Sequence, residues 1–180
     1  MVVGKDMMRS RSKCICICAA LAATGMLVSY LETFIVLPVN IPGIRLGLAN
    51  IATLMALYMM GPVYALYVLI TRVLLSAILF GSATSFVYSF LGAVISYVAM
   101  LTIRHYDFSI YSVSATGAVF HNVAQIFAAY IIVSNGYVFM YLPALIIAGV
   151  AAGLLTGFGS ITVIKRLNMS NIINESEGIT

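Results

Sequence analysis

The sequence has very little charge. Asp, Glu, Lys and Arg make up 8% of its 180 residues, whereas 63% are hydrophobic and the mean hydropathy is +1.11. A soluble domain carries roughly 25% charged residues, so this chain cannot build a water-facing surface. The scarcity of charge excludes a soluble protein and predicts one embedded in a lipid bilayer.

The groups that carry common enzyme chemistry are also scarce. Asp6 and Asp107 are the only aspartates, so the paired oxygen ligands of a magnesium-dependent diphosphate enzyme are missing. No P-loop lysine motif is present for ATP hydrolysis. His121 has no neighbouring Cys or Asp suited to nucleophilic catalysis. We therefore expect no enzyme, no metal site and no cofactor in this chain.

Only three cysteines occur, Cys14, Cys16 and Cys18. Their spacing is not that of a CxxC pair, so it does not favour a zinc or redox site. We expect them to pack or to contact lipid.

Instead of charge, the sequence has an apolar run from Cys14 to Ile164, broken only at glycines, prolines and a few polar residues. About 20 apolar residues cross a hydrocarbon core of about 30 Å as a helix. The breaks divide the run into about six spans, residues 14–37, 46–60, 62–80, 84–103, 112–134 and 139–164. The second is short for a crossing.

These spans predict an all-α integral membrane protein, a single bundle of about six transmembrane helices over residues 14–166. Residues 1–13 form a basic N-terminal segment before it. Residues 167–180 form a polar tail that we expect to be disordered.

Most of the positive charge lies at the two ends of the chain. Six of its nine basic residues are there: Lys5, Arg9, Arg11, Lys13, Lys165 and Arg166. Cytoplasmic flanks of membrane helices carry such an excess. We expect a multi-pass protein of the cell membrane with both termini in the cytoplasm, and we do not interpret the charge as nucleic-acid binding.

Polar residues interrupt the apolar spans at a few positions. The candidate binding residues are Glu32, Arg45, Asn50, Arg72, His121, Asn122 and Gln125. A charge near the bilayer centre costs about 2.5 to 3.5 kcal/mol, so each charged one needs a partner or a wet cavity. At 1.5 Å per residue, Glu32 lies about 8 Å and Arg72 about 12 Å below the outer face. Their comparable depth, in the outer half of the membrane, predicts a site for a small anionic or polar molecule.

Arg45 adds to this site because it precedes the second span, where free N–H groups and the helix dipole favour an anion. Alternatives remain open for these residues. Glu32 and Arg72 form a structural ion pair in one of them, and Arg45 lies at the interface by snorkelling in another. In a third, His121 and Asn122 simply hydrogen-bond between helices.

Small residues are spaced for close helix contact in two places. Ala19 and Ala23 give the first span such a surface, and Gly149, Gly153 and Gly157 repeat every four residues in the sixth. Such motifs pack helices within chains or between them. For the glycines we favour packing within the chain.

Four stretches carry a family resemblance: PGIRLGLANI at 42–51, Gly61-Pro62, RVLLS at 72–76 and FHNVAQ at 120–125. The chain resembles the family called heptaprenyl diphosphate synthase component I, also called the Gx transporter family. That family is similar to the substrate-binding S components of energy-coupling factor (ECF) transporters.

The resemblance implies an S-component-like bundle with an outward-facing pocket. It also implies docking, through Ala19 and Ala23, onto a transmembrane coupling subunit driven by ATPases, so that ATP is used by partner subunits. The main hypothesis is thus a substrate-binding subunit of an ECF-type uptake transporter. The alternative is a non-catalytic membrane component associated with a soluble prenyl diphosphate synthase subunit in isoprenoid-quinone biosynthesis.

Overall fold

The computed structural model describes the backbone of residues 3–34 and 44–177, and the side chains of residues 12–34 and 44–167. Within these ranges all regular structure is helical. The elements are α1 (Val3–Glu32), α2 (Asn50–Met59), α3 (Pro62–Phe80), α4 (Ala83–His105), α5 (Ile110–Val133), a 3-10 helix (Gly136–Tyr141) and α6 (Leu142–Glu177). The predicted all-α fold is confirmed.

Five helical segments are long and apolar enough to cross a membrane: Ser12–Glu32, Pro62–Phe80, Ala83–His105, Ile110–Val133 and Gly136–Leu167. Large apolar side chains such as Ile78, Ile131 and Leu155 are exposed around the bundle, as lipid contact requires. The chain is therefore a multi-pass membrane protein. At ten residues α2 is about 15 Å long, half of a hydrocarbon core.

Six α-helices are present, as predicted, and the second, which the sequence indicated is short for a crossing, does not reach across the membrane. That span was expected to begin at Leu46, but α2 begins at Asn50. Gly47 has φ +83°, a conformation outside a right-handed helix, and residues 44–47 are irregular. Residues 46–49 of the predicted span therefore belong to an irregular segment inside the bundle.

The two ends of the chain also differ from expectation. The first helix begins at Val3, inside the basic segment, and α6 continues to Glu177. The expectation of a disordered tail is therefore wrong as far as Glu177, since residues 165–177 contain neither proline nor glycine to end the helix. Residues 35–43, which include the break between the first two predicted spans, lie outside the described residues.

The short helix α2 lies at the centre of the bundle and contacts each of the other five helices. Seven of its ten residues are buried. The rings of Tyr30 and Phe80 are 4.6 Å apart, and Cys18 Sγ lies 3.8 Å from Met60 Sδ. The first contact joins the C-terminal ends of α1 and α3. The second places Cys18, more than two turns earlier in α1, beside Met60, which follows α2 and precedes α3. The helices α1 and α3 are therefore parallel, and α2 runs back between them.

Helices α4, α5 and α6 pack antiparallel, and the α5–α6 contact uses the predicted glycines. Gly149 lies against Ala118 and Asn122, and Gly157 lies against Tyr111. A Cβ on Gly153 would be 2.5 Å from the Cα of Ala115. The prediction that these glycines serve packing within the chain is confirmed.

Candidate functional site

A polar cavity lies at the end of the bundle where α1 and α3 end and α4 begins. Four ionisable side chains line it, Glu32, Arg45, Arg72 and His121. The space between the lining side chains, including the open mouth, is about 370 Å³, and little of it is wide enough for a water molecule. The cavity is therefore a narrow crevice with room for about one ordered water. The structure brings these four predicted residues onto one cavity.

The irregular segment 44–49 forms one wall. In a bilayer, non-helical backbone is tolerated only where protein buries it or where it lines a cavity. Here Ile44, Arg45, Gly47 and Ala49 are all buried. The segment therefore carries Arg45 into the bundle and places the first turn of α2 below the cavity.

The Glu32 carboxylate occupies the start of α2. Its Oε1 accepts a hydrogen bond from the backbone N–H of Leu48 at 2.6 Å. A carboxylate is stabilised there by the free N–H groups and the positive end of the helix dipole. The sequence predicted this position as the seat of a ligand's anion. In the structure the protein's own carboxylate fills it.

Arg72 is held by α2 rather than by Glu32. Its Nη2 donates to Asn50 Oδ1 at 2.6 Å and its Nε to Thr53 Oγ1 at 3.3 Å. Asn50 Nδ2 in turn donates to Ser96 Oγ on α4 at 3.1 Å. The side chain of Arg72 passes Gly25 of α1, where a Cβ would be 2.9 Å from its Cδ. These contacts fix a guanidinium that is 4% exposed.

His121 and Gln125 lie one turn apart on α5 and brace the segment that carries Arg45. Gln125 Oε1 accepts from the backbone N–H of Arg45 at 3.1 Å, so the Gln125 amide nitrogen faces His121 Nε2, also at 3.1 Å. An amide nitrogen only donates, so we assign His121 Nε2 as the acceptor and the ring proton to Nδ1. That Nδ1 has no hydrogen-bond partner.

The histidine ring is fixed between two glycines. A Cβ on Gly47 would lie 3.1 Å from its Cδ2, and one on Gly92 of α4 would lie 2.8 Å from its Cε1. Both positions lack the space for a side chain.

Three of the predicted residues do not line the cavity. Asn50 and Gln125 act through Arg72, His121 and the Arg45 backbone, as described above. Asn122 faces α6 and donates to the Leu145 carbonyl at 2.7 Å. This contact agrees with the alternative in which Asn122 bonds between helices.

Sequence reasoning missed a row of serines. The cavity is also lined by Ser29, Ser76, Ser85 and Ser89. Ser85, Ser89, Gly92 and Ser96 recur at helical spacing along α4, which places them on one face. That pattern of small polar residues on an apolar helix was the available signal.

The predicted docking residues lie near the middle of α1, away from the cavity. Ala19 and Ala23 are exposed, whereas their neighbours Leu21 and Ala22 are buried against the bundle. Among the residues the structure describes, no three His, Cys, Asp or Glu side chains are grouped as metal ligands.

A family model described as heptaprenyl diphosphate synthase component I matches residues 21–163. The chain belongs to this family. The family resemblance of the sequence is thereby confirmed. No curated protein and no solved structure matches the chain.

The component I match covers every side chain that lines the cavity, and it includes Ala23 but not Ala19. The family is named as a component of a synthase, which agrees with the prediction that this chain is not itself the enzyme. The resemblance to ECF transporters stays a prediction.

Proposed function

We propose that this chain is a non-catalytic membrane component associated with a prenyl diphosphate synthase, and that its cavity binds a small anionic or strongly polar molecule. The family match supports the association. The binding role rests on one observation, the convergence of Glu32, Arg45, Arg72 and His121 on a single cavity.

The balance of charge favours an anion. Arg45 and Arg72 bring two positive charges, whereas Glu32 brings one negative charge that already accepts the Leu48 N–H. Burying ions inside a membrane protein is costly, and such residues commonly mark a binding site or a pathway. A bound anion would balance the second guanidinium.

Arg45 offers a clean test of binding. The bond from Arg45 to Gln125 uses the backbone N–H, so Arg45→Ala leaves it in place. We expect Arg45→Ala to lower the affinity for the ligand at least tenfold. Native mass spectrometry identifies the molecule that the protein retains. Isothermal titration of that molecule into the protein in nanodiscs then measures the affinity. Arg72→Lys keeps the positive charge, so its affinity for the ligand should fall less than that of Arg45→Ala.

Arg104→Ala is the matched control, since Arg104 lies at the other end of the bundle with its guanidinium over the Tyr58 ring. Equal affinity in Arg45→Ala, Arg104→Ala and the unchanged protein would contradict the binding role.

The association requires its own experiment. We expect the chain in nanodiscs to bind a purified soluble prenyl diphosphate synthase subunit and to change its rate or product length. The catalytic chemistry then belongs to the soluble subunit. A synthase that neither binds the nanodiscs nor changes its products would contradict the association.

A second candidate is the binding subunit of an ECF-type uptake transporter, and the position of the cavity favours it. Lys13, Arg104, Lys165 and Arg166 all lie at the opposite end of the bundle, which the positive-inside rule assigns to the cytoplasm. The cavity would then face outward in the cell membrane. The exposed Ala19 and Ala23 leave a close-approach surface for a coupling subunit.

Co-purification with a defined coupling subunit and its ATPases, together with ATP-dependent uptake in proteoliposomes, would favour this second candidate. Ala19→Leu and Ala23→Leu place larger side chains on the close-approach surface of α1, so together they should then abolish assembly with the coupling subunit. Thr24→Leu, on a neighbouring exposed position, is the control.

A further inference from the structure

Two serine hydroxyls at the cavity lack partners. Ser76 Oγ on α3 and Ser89 Oγ on α4 are inaccessible to solvent and make no hydrogen bond, and both residues line the cavity. Ser76 as a residue is 4% exposed. A buried polar group without a partner costs about 1 to 3 kcal/mol. An occupant of the cavity that hydrogen-bonds both hydroxyls would remove this cost.

The charges of the lining limit what that occupant is. With His121 counted as neutral, Arg45, Arg72 and Glu32 leave one net positive charge. A second negative charge on the occupant would face the Glu32 carboxylate without a free cation to balance it, and like charges in a low dielectric repel strongly. A diphosphate carries more than one negative charge.

The small volume of the crevice limits the size of the ligand. The whole crevice has room for about one water, so even a small ligand must displace lining side chains, and a diphosphate ester with its prenyl chain would have to displace far more of them.

We infer that the cavity binds a small organic monoanion, a carboxylate that also carries hydroxyl or amino groups, and does not bind a diphosphate ester. The carboxylate pairs with Arg45 and Arg72, and the hydroxyl or amino groups bond Ser76 and Ser89. This inference rests on the proposed binding role of the same cavity.

Three probes test it: glycerate, which has one carboxylate and two hydroxyls, propionate, which has the carboxylate alone, and inorganic pyrophosphate. We expect titration on the protein in nanodiscs to rank their affinities in that order. Ser76→Ala and Ser89→Ala should each weaken glycerate about three- to tenfold, the range for one neutral hydrogen bond, and leave propionate within twofold.

Ser160→Ala is the matched control, because Ser160 on α6 is also buried but its hydroxyl bonds the Thr156 carbonyl away from the cavity. It should leave all three affinities unchanged. Native mass spectrometry adds a probe-free measurement, in which we expect any retained molecule to carry one carboxylate.

Pyrophosphate binding more tightly than glycerate, or a retained molecule with two or more negative charges, would overturn this inference and leave the anion site standing. Ser76→Ala and Ser89→Ala variants that weaken propionate as much as glycerate would also overturn it. Failure of all three probes to bind, with no retained molecule, would overturn both the inference and the proposed binding role.

Discussion

Glu32, the last residue of α1, accepts a hydrogen bond from the backbone N–H of Leu48 at 2.6 Å. This contact joins the end of one membrane helix to the turn that starts the next. It also places a carboxylate at the positive end of α2. The contact therefore both shapes the cavity and sets its charge.

We expect Glu32→Ala to lower the free energy of unfolding by about 2 to 3 kcal/mol, since it removes a charged acceptor from the partly buried Leu48 N–H. Glu32→Gln should lose less because its amide oxygen still accepts. Thermal unfolding in nanodiscs measures both. Thr33→Ala, at the exposed next position, is the control, and a loss as large as that of Glu32→Ala would show that the Leu48 contact does not matter.

Asn50 orients Arg72, so its removal should destabilise the protein. Asn50→Ala leaves the Arg72 Nη2 and Ser96 Oγ without their partner, and we expect a loss of about 2 to 3 kcal/mol in the free energy of unfolding. Asn50→Asp keeps an acceptor for the guanidinium and should lose less. If the aspartate variant were as unstable as the alanine variant, the bond to Arg72 would not be the cause.

Much of this fold follows from the sequence because lipid imposes length and composition. The ends of the last four membrane spans were predicted to within a few residues, because Gly61-Pro62, Gly81 and Asn135-Gly136 separate helices there. Glu32 and Arg72 were predicted at comparable depths by counting residues from the ends of their spans. Each inference uses only the rise of a helix and the cost of buried charge.

The details of the site did not follow in the same way. The late start of α2 accompanies a tertiary contact, from the Leu48 N–H to the Glu32 carboxylate, which residue spacing does not reveal. Asn122 and Gln125 are three residues apart on one helix, yet one faces α6 and the other faces Arg45. Ser76 and Ser89 are single polar residues on two different apolar helices, α3 and α4, and only the tertiary fold places both at the cavity.

The Gly92 position should tolerate no side chain. A Cβ there would lie 2.8 Å from His121 Cε1 and 2.9 Å from its Nδ1, so Gly92→Ala must displace the ring. We expect a loss of about 1 to 3 kcal/mol in stability, typical of overpacking, and weaker ligand binding. Gly136→Ala is the control, because nothing lies within 4 Å of its added Cβ. Unchanged stability and affinity in Gly92→Ala would contradict the placement of His121.

Orientation in the membrane can be read from cysteine labelling. With Cys14, Cys16 and Cys18 replaced by serine, we expect a membrane-impermeant maleimide to label Asn135→Cys in intact cells and His105→Cys only after permeabilisation. Both positions are exposed, at opposite ends of the bundle. The reverse pattern would place the cavity on the cytoplasmic side and would remove the argument for outward-facing capture.

The α5–α6 contact gives the sharpest packing test. A Cβ on Gly153 would meet backbone atoms, the Ala115 Cα at 2.5 Å and the Ser114 carbonyl oxygen at 2.9 Å, and backbone cannot rotate away as a side chain can. In an exposed helix Gly→Ala stabilises by about 1 kcal/mol, so any loss reports the clash alone.

We expect Gly153→Ala to lower the free energy of unfolding by about 1 to 3 kcal/mol, the range for overpacking in a well-packed interior. Gly159→Ala, whose added Cβ meets only the flexible end of Ile51 at 3.1 Å, is the matched control and should be near neutral. Thermal unfolding of both in nanodiscs decides the point. A neutral Gly153→Ala would mean that α5 and α6 are not in close backbone contact, and the Asn122 bond to the Leu145 carbonyl would then fail with it.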